Sequence, residues 1–204
     1  MSDLVSVHHL TKRFPVRMGL FRTSRKAVHA VEDVSFTIQE EKTLGLVGES
    51  GCGKSTIARL ITRLIEPTSG SVFFMNQNIF SLSHRHLLTL RTKMQMIFQD
   101  PYACLNPRKT VLQIVGQPFQ LHTNLSKDAI KQKVLELVEK VGFSAPEQYL
   151  NRYPNEFSGG QRQRIGIARA IALHPKFIVA DEPVSALDLS LRGQILNLMI
   201  DLQK

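Results

Sequence analysis

The stretch TLGLVGESGCGKSTI, from Thr43 to Ile57, decides the fold of the chain. It predicts a short apolar strand, a glycine-rich loop and a helix that opens at Lys54, and it satisfies the pattern G-x-x-x-x-G-K-[ST]. Glycines in the loop permit backbone turns that other residues avoid, so that successive N–H groups can point at one anion on the helix N-terminus. The stretch therefore predicts a phosphate-binding loop, and the alternative is a glycine turn ahead of an ordinary helix.

The same pattern assigns chemistry to individual side chains. The Lys54 ammonium is expected to reach the β- and γ-phosphates of a nucleotide as a point charge, and the Ser55 hydroxyl is expected to ligate Mg²⁺. The residues predicted to surround the phosphates are Gly48, Glu49, Ser50, Gly51, Cys52, Gly53, Lys54, Ser55 and Thr56.

The composition is that of a soluble globular chain. The 204 residues suffice for one compact domain, and 43% of them are hydrophobic and 21% charged. No run approaches the ~18 apolar residues of a membrane-spanning helix, and the N-terminus has no signal-peptide pattern. The chain is therefore expected neither to span a membrane nor to leave the cytosol on its own. Cys52 and Cys104 form neither a disulfide framework nor a metal-binding spacing.

The formal net charge of +9 favours anionic partners without naming one. Nucleotide, a phospholipid surface and nucleic acid all fit this charge. Part of the excess lies in a basic segment with Arg17, Arg22, Arg25 and Lys26, which is either a solvated loop or a membrane-facing patch. Aromatic residues do not alternate with the basic ones, so a stacking platform for single-stranded nucleic acid has no support.

The order of predicted elements indicates an α/β fold. Alternating apolar residues predict two strands ahead of the glycine loop, the first closing at Pro15, and a helix from 54 to 65 follows the loop. Between about 100 and 160 the pattern shifts to helices and loops, which predicts a helical lobe inserted into a core formed by residues 1–99 and 161–204. Within the lobe, a helix that begins at Ser126 and ends at Gly142 has one apolar stripe.

Two adjacent acids follow an apolar strand at 177–180. Asp181 and Glu182 stand at its carboxyl end, where open parallel sheets place their ligands. In a phosphate-loop protein an acid at this place holds Mg²⁺, directly or through water, and the Glu182 carboxylate can take a proton from an attacking water. Gln99, at the end of another predicted strand, either contacts Mg²⁺ or that water, or is a surface glutamine.

A second anion site is predicted at another helix N-terminus. Ser158 as cap, followed by Gly159, Gly160 and Gln161, presents bare N–H groups, although a plain serine cap after a glycine turn is the alternative. Phe14 is a candidate for stacking on an adenine base or a core or rim aromatic.

The chain resembles the ATP-binding subunits of ABC transporters over essentially its whole length. GESGCGKST resembles the Walker A loop, Gln99 in IFQDPYACLNPR the Q-loop, and FSGGQ at 157–161 the signature motif. FIVADEP at 177–183 resembles the Walker B strand and SALD at 185–188 the D-loop, whose Asp188 is either a site residue or a helix cap. The basic segment and the sequences around Gln99 and Ser158 resemble the dipeptide and oligopeptide importer branch, whose relatives carry nickel or glutathione.

The resemblance implies a P-loop NTPase (RecA-like) core with an N-terminal antiparallel β part and the helical lobe. It implies that two such subunits face head to tail, with each ATP held between the phosphate loop of one copy and the signature serine and glycines of the other. Phe14 then stacks on adenine, Asp181 supports Mg²⁺, Glu182 is the general base, and Gln99 links the nucleotide to transmembrane permease subunits. The chain is thus expected at the cytoplasmic face of the cell membrane. An extracytoplasmic solute-binding protein is expected as an indirect partner.

One departure from the family pattern concerns the switch histidine. In the family this histidine lies on the strand that follows the helix corresponding to residues 190–203. All seven histidines precede Asp188 and the sequence stops at Lys204. We therefore expect a C-terminally truncated piece, the alternative being a natural truncation with impaired hydrolysis. The absent strand would leave a sheet edge open, which predicts poor solubility for the isolated piece.

Three functions are compared on this basis. An ATP-hydrolysing subunit of a peptide-type importer accounts for all five motifs. A soluble ABC-type ATPase acting on nucleic acid or the ribosome fits the charge but lacks long coiled-coil insertions or a duplicated cassette, so no nucleic acid is expected as a partner. A non-catalytic nucleotide-binding remnant would follow from the absent histidine. The cargo is chosen by partners and has no signal in this sequence.

Overall fold

The computed structural model describes residues 3–15, 27–100, 104–185, 187 and 189–203. The basic segment with Arg17, Arg22, Arg25 and Lys26 and the predicted site residue Asp188 lie outside these ranges.

The chain forms two compact units, Met1–Thr89 and Leu90–Lys204. The predicted division into a core (1–99 and 161–204) and a helical lobe (about 100–160) stays a prediction. Among the described residues, no helix has both the length and the apolar character needed to cross a membrane.

The first unit is built on a four-stranded antiparallel sheet. Its strands lie in the order β2-β1-β3-β4 and are β1 (Asp3–Pro15), β2 (Ala27–Gln39), β3 (Ser69–Phe74) and β4 (Gln77–Asn78). Alternation of apolar and polar residues buries Val5 and Val7 of β1, as expected for a strand with one face in the core. Helix α1 (Lys54–Ile61) follows the glycine loop, and helix α2 (His84–Arg91) begins after the sheet. The predicted N-terminal antiparallel part is confirmed.

Helix α1 ends four residues earlier than the sequence predicts. Arg63 adopts a left-handed backbone conformation with φ of 48°, although it is not glycine. The Leu64 N–H then donates to the Arg59 carbonyl at 2.8 Å, and the Arg63 N–H to the Leu60 carbonyl at 2.9 Å. These two bonds form a Schellman cap, which satisfies the last carbonyls of the helix and turns the chain away. The predicted end of the helix at residue 65 is therefore wrong.

The strand predicted ahead of the glycine loop is also wrong. Residues 42–49 have no regular secondary structure, and Leu44, Leu46 and Val47 are exposed, Val47 to 94%. The apolar run indicates burial, but a strand of a parallel sheet is stable only when neighbouring strands bond its backbone and cover its faces. In the part of the chain that the structure describes, neither sheet includes this stretch.

The second unit holds a parallel pair of strands, β5 (Met94–Ile97) and β6 (Phe177–Ala180). They pair in register from Met94 with Phe177 to Ile97 with Ala180, so that their carboxyl ends meet at one edge. Its helices are α3 (Val111–His122), α4 (Lys127–Lys140), α5 (Gly159–Ile171) and α6 (Leu189–Gln203).

The helices of the second unit follow local sequence signals closely. Ser126 caps α4, and its side chain accepts a hydrogen bond from the Ala129 N–H at 3.2 Å. The helix ends where Gly142 takes a left-handed conformation with φ of 88°. The predicted apolar stripe of α4 lies in the core of this unit, with Ile130, Val134, Leu137, Val138 and Val141 all buried.

Candidate functional site

The glycine loop ends on the first residue of α1, as its sequence predicts. Gly53 is the N-cap with φ of 101°, and no cap side chain bonds to the N–H groups of the first turn. A Cβ atom at Gly53 would lie 2.1 Å from the Ala30 carbonyl oxygen, so only glycine fits there. Gly51 is also left-handed, with φ of 81°. A helix N-terminus without a side-chain cap is a common place for an anion to bind.

The Lys54 ammonium is held over this loop. Its Nζ donates to the Gly48 carbonyl at 2.8 Å and to the Glu49 carbonyl at 2.7 Å, and it lies 3.7 Å from the Cys52 sulfur. An ammonium has three N–H donors, and the Gly48 carbonyl, the Glu49 carbonyl and the Cys52 sulfur each accept one of them. Packing is tight at the turn, since a Cβ atom at Gly48 would come within 2.6 Å of the Cys52 sulfur.

The remaining loop residues differ in exposure. Glu49, Ser50 and Cys52 are exposed, while Ser55 and Thr56 are half-buried in the first turn of α1. Both hydroxyl residues therefore lie in the first turn of the helix that follows the glycine loop.

Phe14 lies near the end of β1 and is 40% exposed. The Lys12 ammonium stands 5.0 Å from the centroid of its ring, a cation–π contact, and also donates to the Glu66 carbonyl at 2.6 Å. Sequence reasoning did not select Lys12. The signal was available, because residues two apart on a strand share a face.

A second group of predicted residues meets at the carboxyl ends of β5 and β6. The Gln99 Nε2 donates to the Glu182 Oε2 at 2.7 Å, across 83 residues of sequence. Asp181 is buried with 8% exposure, and its backbone N–H donates to the Ile97 carbonyl at 2.9 Å. The parallel pairing of the two strands therefore brings Gln99, Asp181 and Glu182 to one edge.

The tip of α5 carries the predicted serine cap. The Ser158 hydroxyl accepts from the Gln161 N–H at 3.3 Å, and the Gln161 side-chain oxygen accepts from the Ser158 N–H at 3.0 Å. This capping box leaves the N–H groups of Gly159 and Gly160 outside its two bonds. A Cβ atom at Gly159 would meet nothing within 4 Å, so the tip is open on that side.

Arg169 connects α5 to the segment that follows Gln99. Its Nη1 donates to the Cys104 carbonyl at 2.7 Å, and burial lowers the pKa of its guanidinium. Burial raises the pKa of the Cys104 thiol, which therefore stays protonated at neutral pH and is a poor nucleophile.

Comparison with known proteins decides the family. The model of the family described as ABC transporter matches residues 31–185, which is more than half of the chain. This chain belongs to the ABC transporter family. The residues that resemble the Walker A loop, the Q-loop, the signature motif and the Walker B strand lie within the matched range, and the predicted resemblance to this family is confirmed.

Curated relatives of this ABC transporter chain include proteins named for peptide transport. One is the probable peptide ABC transporter ATP-binding protein y4tS of Sinorhizobium fredii, 54% identical over 205 residues, which cover all of this chain and 58% of that protein. Another is the oligopeptide transport ATP-binding protein AppF of Bacillus subtilis, 49% identical over 98% of this chain and 61% of the relative. This ABC transporter chain thus spans about three-fifths of the length of these relatives.

Solved structures give the same fold. A dimeric structure of the ATP-binding cassette MJ0796 bound to ADP and Pi, in a post-hydrolysis state, matches with a TM-score of 0.85 and 32% identity. The match covers 98% of this chain and 83% of that one. The ABC transporter chain therefore has a mixed α/β fold of the P-loop NTPase type, as predicted.

Proposed function

We propose that this chain is the ATP-binding and ATP-hydrolysing part of an ABC importer for di- or oligopeptides or a related small solute. The phosphate loop at α1 binds the nucleotide phosphates, and Phe14 stacks on the adenine. Glu182 accepts a proton from the water that attacks the γ-phosphate, and Gln99 orients that water.

The observation that carries this proposal is the hydrogen bond between Gln99 and Glu182. It joins an amide and a carboxylate at the meeting point of two parallel strand ends, where α/β sheets place their ligands. A carboxylate within reach of the attacking water is the group that a general base requires. Both side chains are exposed, so water can reach the carboxylate.

The donor groups fit Mg²⁺. The three residues assigned to the metal are Ser55, Gln99 and Asp181, which offer a hydroxyl, an amide and a carboxylate oxygen, the hard ligands that Mg²⁺ prefers. Gln99 bonds Glu182 through its nitrogen, so its amide oxygen stays available as an acceptor. When bound, Mg²⁺ neutralises charge that develops on the phosphates.

Two copies are needed for the complete site. The open tip of α5, with Ser158, Gly159 and Gly160, is a second anion seat that one chain does not need for its own phosphate loop. We infer that it caps the γ-phosphate held by a facing subunit. The dimeric structures of the cassette MJ0796 support the pairing of two copies.

Transport as the outcome is supported by relatives named for a peptide ABC transporter, for dipeptide transport and for glutathione import. The partners are accordingly permease subunits in the membrane, and an extracytoplasmic binding protein acts through them. The chain would sit peripherally on the cytoplasmic face. No relative quoted above is named for nucleic acid, so the alternative ATPase function has no support from them.

Replacing Lys54 by alanine tests nucleotide binding. The variant is expected to bind ATP ~10–100-fold more weakly, because a hydrogen bond to a charged group contributes about 1.5–3 kcal/mol. AMP, which lacks the β- and γ-phosphates, should bind the variant and the parent protein alike. Titration with labelled nucleotides measures both affinities.

Lys42 provides the control for this change, since it is an exposed lysine of the same unit, in the turn after β2. Lys42→Ala should leave ATP affinity unchanged. Equal ATP affinity for Lys54→Ala and the parent protein would remove Lys54 from the site.

Replacing Ser158 by alanine separates a cap from a site residue. Loss of the cap is expected to reduce the free energy of unfolding by ~0.5–2 kcal/mol. Ser126→Ala removes a cap of the same kind from α4 and should cost a similar amount. Only Ser158→Ala should also lower ATP turnover, measured as phosphate release by the intact protein. A similar turnover for both variants would reduce Ser158 to a structural cap.

A further inference from the structure

Glu182 has an unusual main-chain conformation. Its φ is 45°, in the left-handed region that residues with a side chain rarely adopt. Such a conformation persists only where neighbouring groups hold it, and it concentrates at functional sites. The groups that hold Glu182 can therefore be sought among its hydrogen-bond partners.

Ser185 makes two hydrogen bonds to the carbonyl of Glu182. Its backbone N–H and its hydroxyl Oγ both donate to that oxygen at 3.1 Å. The second bond is a side-chain lock on the turn, because a serine hydroxyl can bond the carbonyl three residues earlier. Ser185 therefore fixes the orientation of the peptide group that joins Glu182 to Pro183.

The turn after Glu182 is also hydrogen-bonded to helix α6. Arg192 Nε donates to the Leu187 carbonyl at 2.9 Å, and its Nη2 to the Ser185 carbonyl at 3.4 Å. The Leu187 N–H donates to the Val184 carbonyl at 3.2 Å. Ser185 and Leu187 are thus hydrogen-bonded to helix α6 through Arg192.

The carboxylate of Glu182 is held separately by Gln99. The main chain of Glu182 is therefore restrained by Ser185, and its side chain is restrained by Gln99. The carboxylate oxygen of a general base must lie within about 3 Å of the oxygen whose proton it removes. A shift of the backbone that carries the carboxylate therefore lowers the reaction rate.

We infer that Ser185 is a positioning residue, whose hydroxyl holds the left-handed turn that aims the Glu182 carboxylate. This inference rests on the proposed function, because it assigns Ser185 a role only through Glu182. The sequence motif SALD places a serine at this position but gives no indication of which atom it bonds.

The chain offers a closely matched control. The Ser81 hydroxyl donates to the Asn78 carbonyl at 2.9 Å, and its N–H donates to the same oxygen at 3.3 Å. The two serines thus make the same pair of bonds, one beside the predicted base and one on the loop after β4. If the loss of such a hydroxyl bond affects only the free energy of unfolding, Ser185→Ala and Ser81→Ala should show a similar effect.

The test compares steady-state ATP hydrolysis by variants of the intact protein. Ser185→Ala is expected to lower kcat ~3–10-fold, the range expected for a hydrogen bond of ordinary strength, with KM for ATP unchanged. Ser185→Thr, which keeps a hydroxyl, should restore kcat, and Ser81→Ala should match the parent protein. Arg192→Gln, which removes the bonds to the Leu187 and Ser185 carbonyls but leaves the Ser185 hydroxyl in place, should lower kcat alone as well.

A double variant shows whether Ser185 acts through Glu182. In the Glu182→Gln background, Ser185→Ala should cause no further loss, because the group that it positions is already gone. Full additivity, or a parent-like kcat for Ser185→Ala, would overturn the inference while the proposed function stands. Parent-like turnover for Glu182→Gln alone would instead overturn the proposed function.

Discussion

Replacing Glu182 by glutamine lowers ATP turnover by ~10²–10⁴-fold, the usual contribution of a general base. The amide keeps the size of the side chain and can still pair with Gln99, but it cannot accept a proton from water. ATP binding should persist, because the phosphate contacts of the glycine loop and Lys54 are untouched. Phosphate release and nucleotide binding, measured on the same intact protein, separate the two effects.

Glu147→Gln is the matched control for this prediction. Glu147 is an exposed glutamate of the same unit, in the short turn Pro146–Gln148, remote in sequence from the strand ends. The control should hydrolyse ATP like the parent protein. If Glu182→Gln also does so, Glu182 has no part in the mechanism and another group must take the proton.

Replacing Gly53 by alanine abolishes nucleotide binding and destabilises the first unit. The left-handed conformation alone costs a residue with a side chain ~1–3 kcal/mol. In addition, the new Cβ would lie 2.1 Å from the Ala30 carbonyl oxygen, so the loop or β2 must move. The N–H groups that bind phosphate move with the loop. Thermal unfolding and titration with labelled ATP measure the two consequences.

Two other glycines separate strain from steric clash. Gly51 is left-handed, but a Cβ atom there would meet nothing within 4 Å, so Gly51→Ala should show the cost of strain alone. Gly45 has neither a left-handed conformation nor a close neighbour, so Gly45→Ala should be nearly neutral. Parent-like ATP affinity for Gly53→Ala would show that the loop geometry described here does not set nucleotide binding.

Local signals in the sequence predicted much of the fold and of the site. The caps at Ser126 and Ser158, the glycine that ends α4 and the apolar stripe of α4 each depend on residues within a few positions of one another. The phosphate loop also belongs to this class. Such features need no knowledge of distant partners, so the sequence pattern was sufficient.

The errors arose where distant or atypical groups decide the outcome. Residues 43–47 have a strand-like composition, but composition does not supply the neighbouring strands that would pair with them. The early end of α1 depends on Arg63 in a conformation normally taken by glycine or asparagine.

Contacts between side chains far apart in sequence were also beyond sequence reasoning. The pairing of Gln99 with Glu182 follows only from the register of β5 and β6. The hydroxyl of Ser185 bonds the nearby Glu182 carbonyl, but the left-handed conformation of Glu182 has no sequence signal.

The central claim is that nucleotide is clamped between the glycine loop of one copy and the α5 tip of a second copy. The most direct test is the mass of the Glu182→Gln variant of the intact protein in sedimentation equilibrium, with and without Mg²⁺ and ATP. The account predicts that the mass doubles when ATP is present and returns to that of one copy when ATP is removed. A mass that stays at one copy while the same sample retains bound ATP would contradict it.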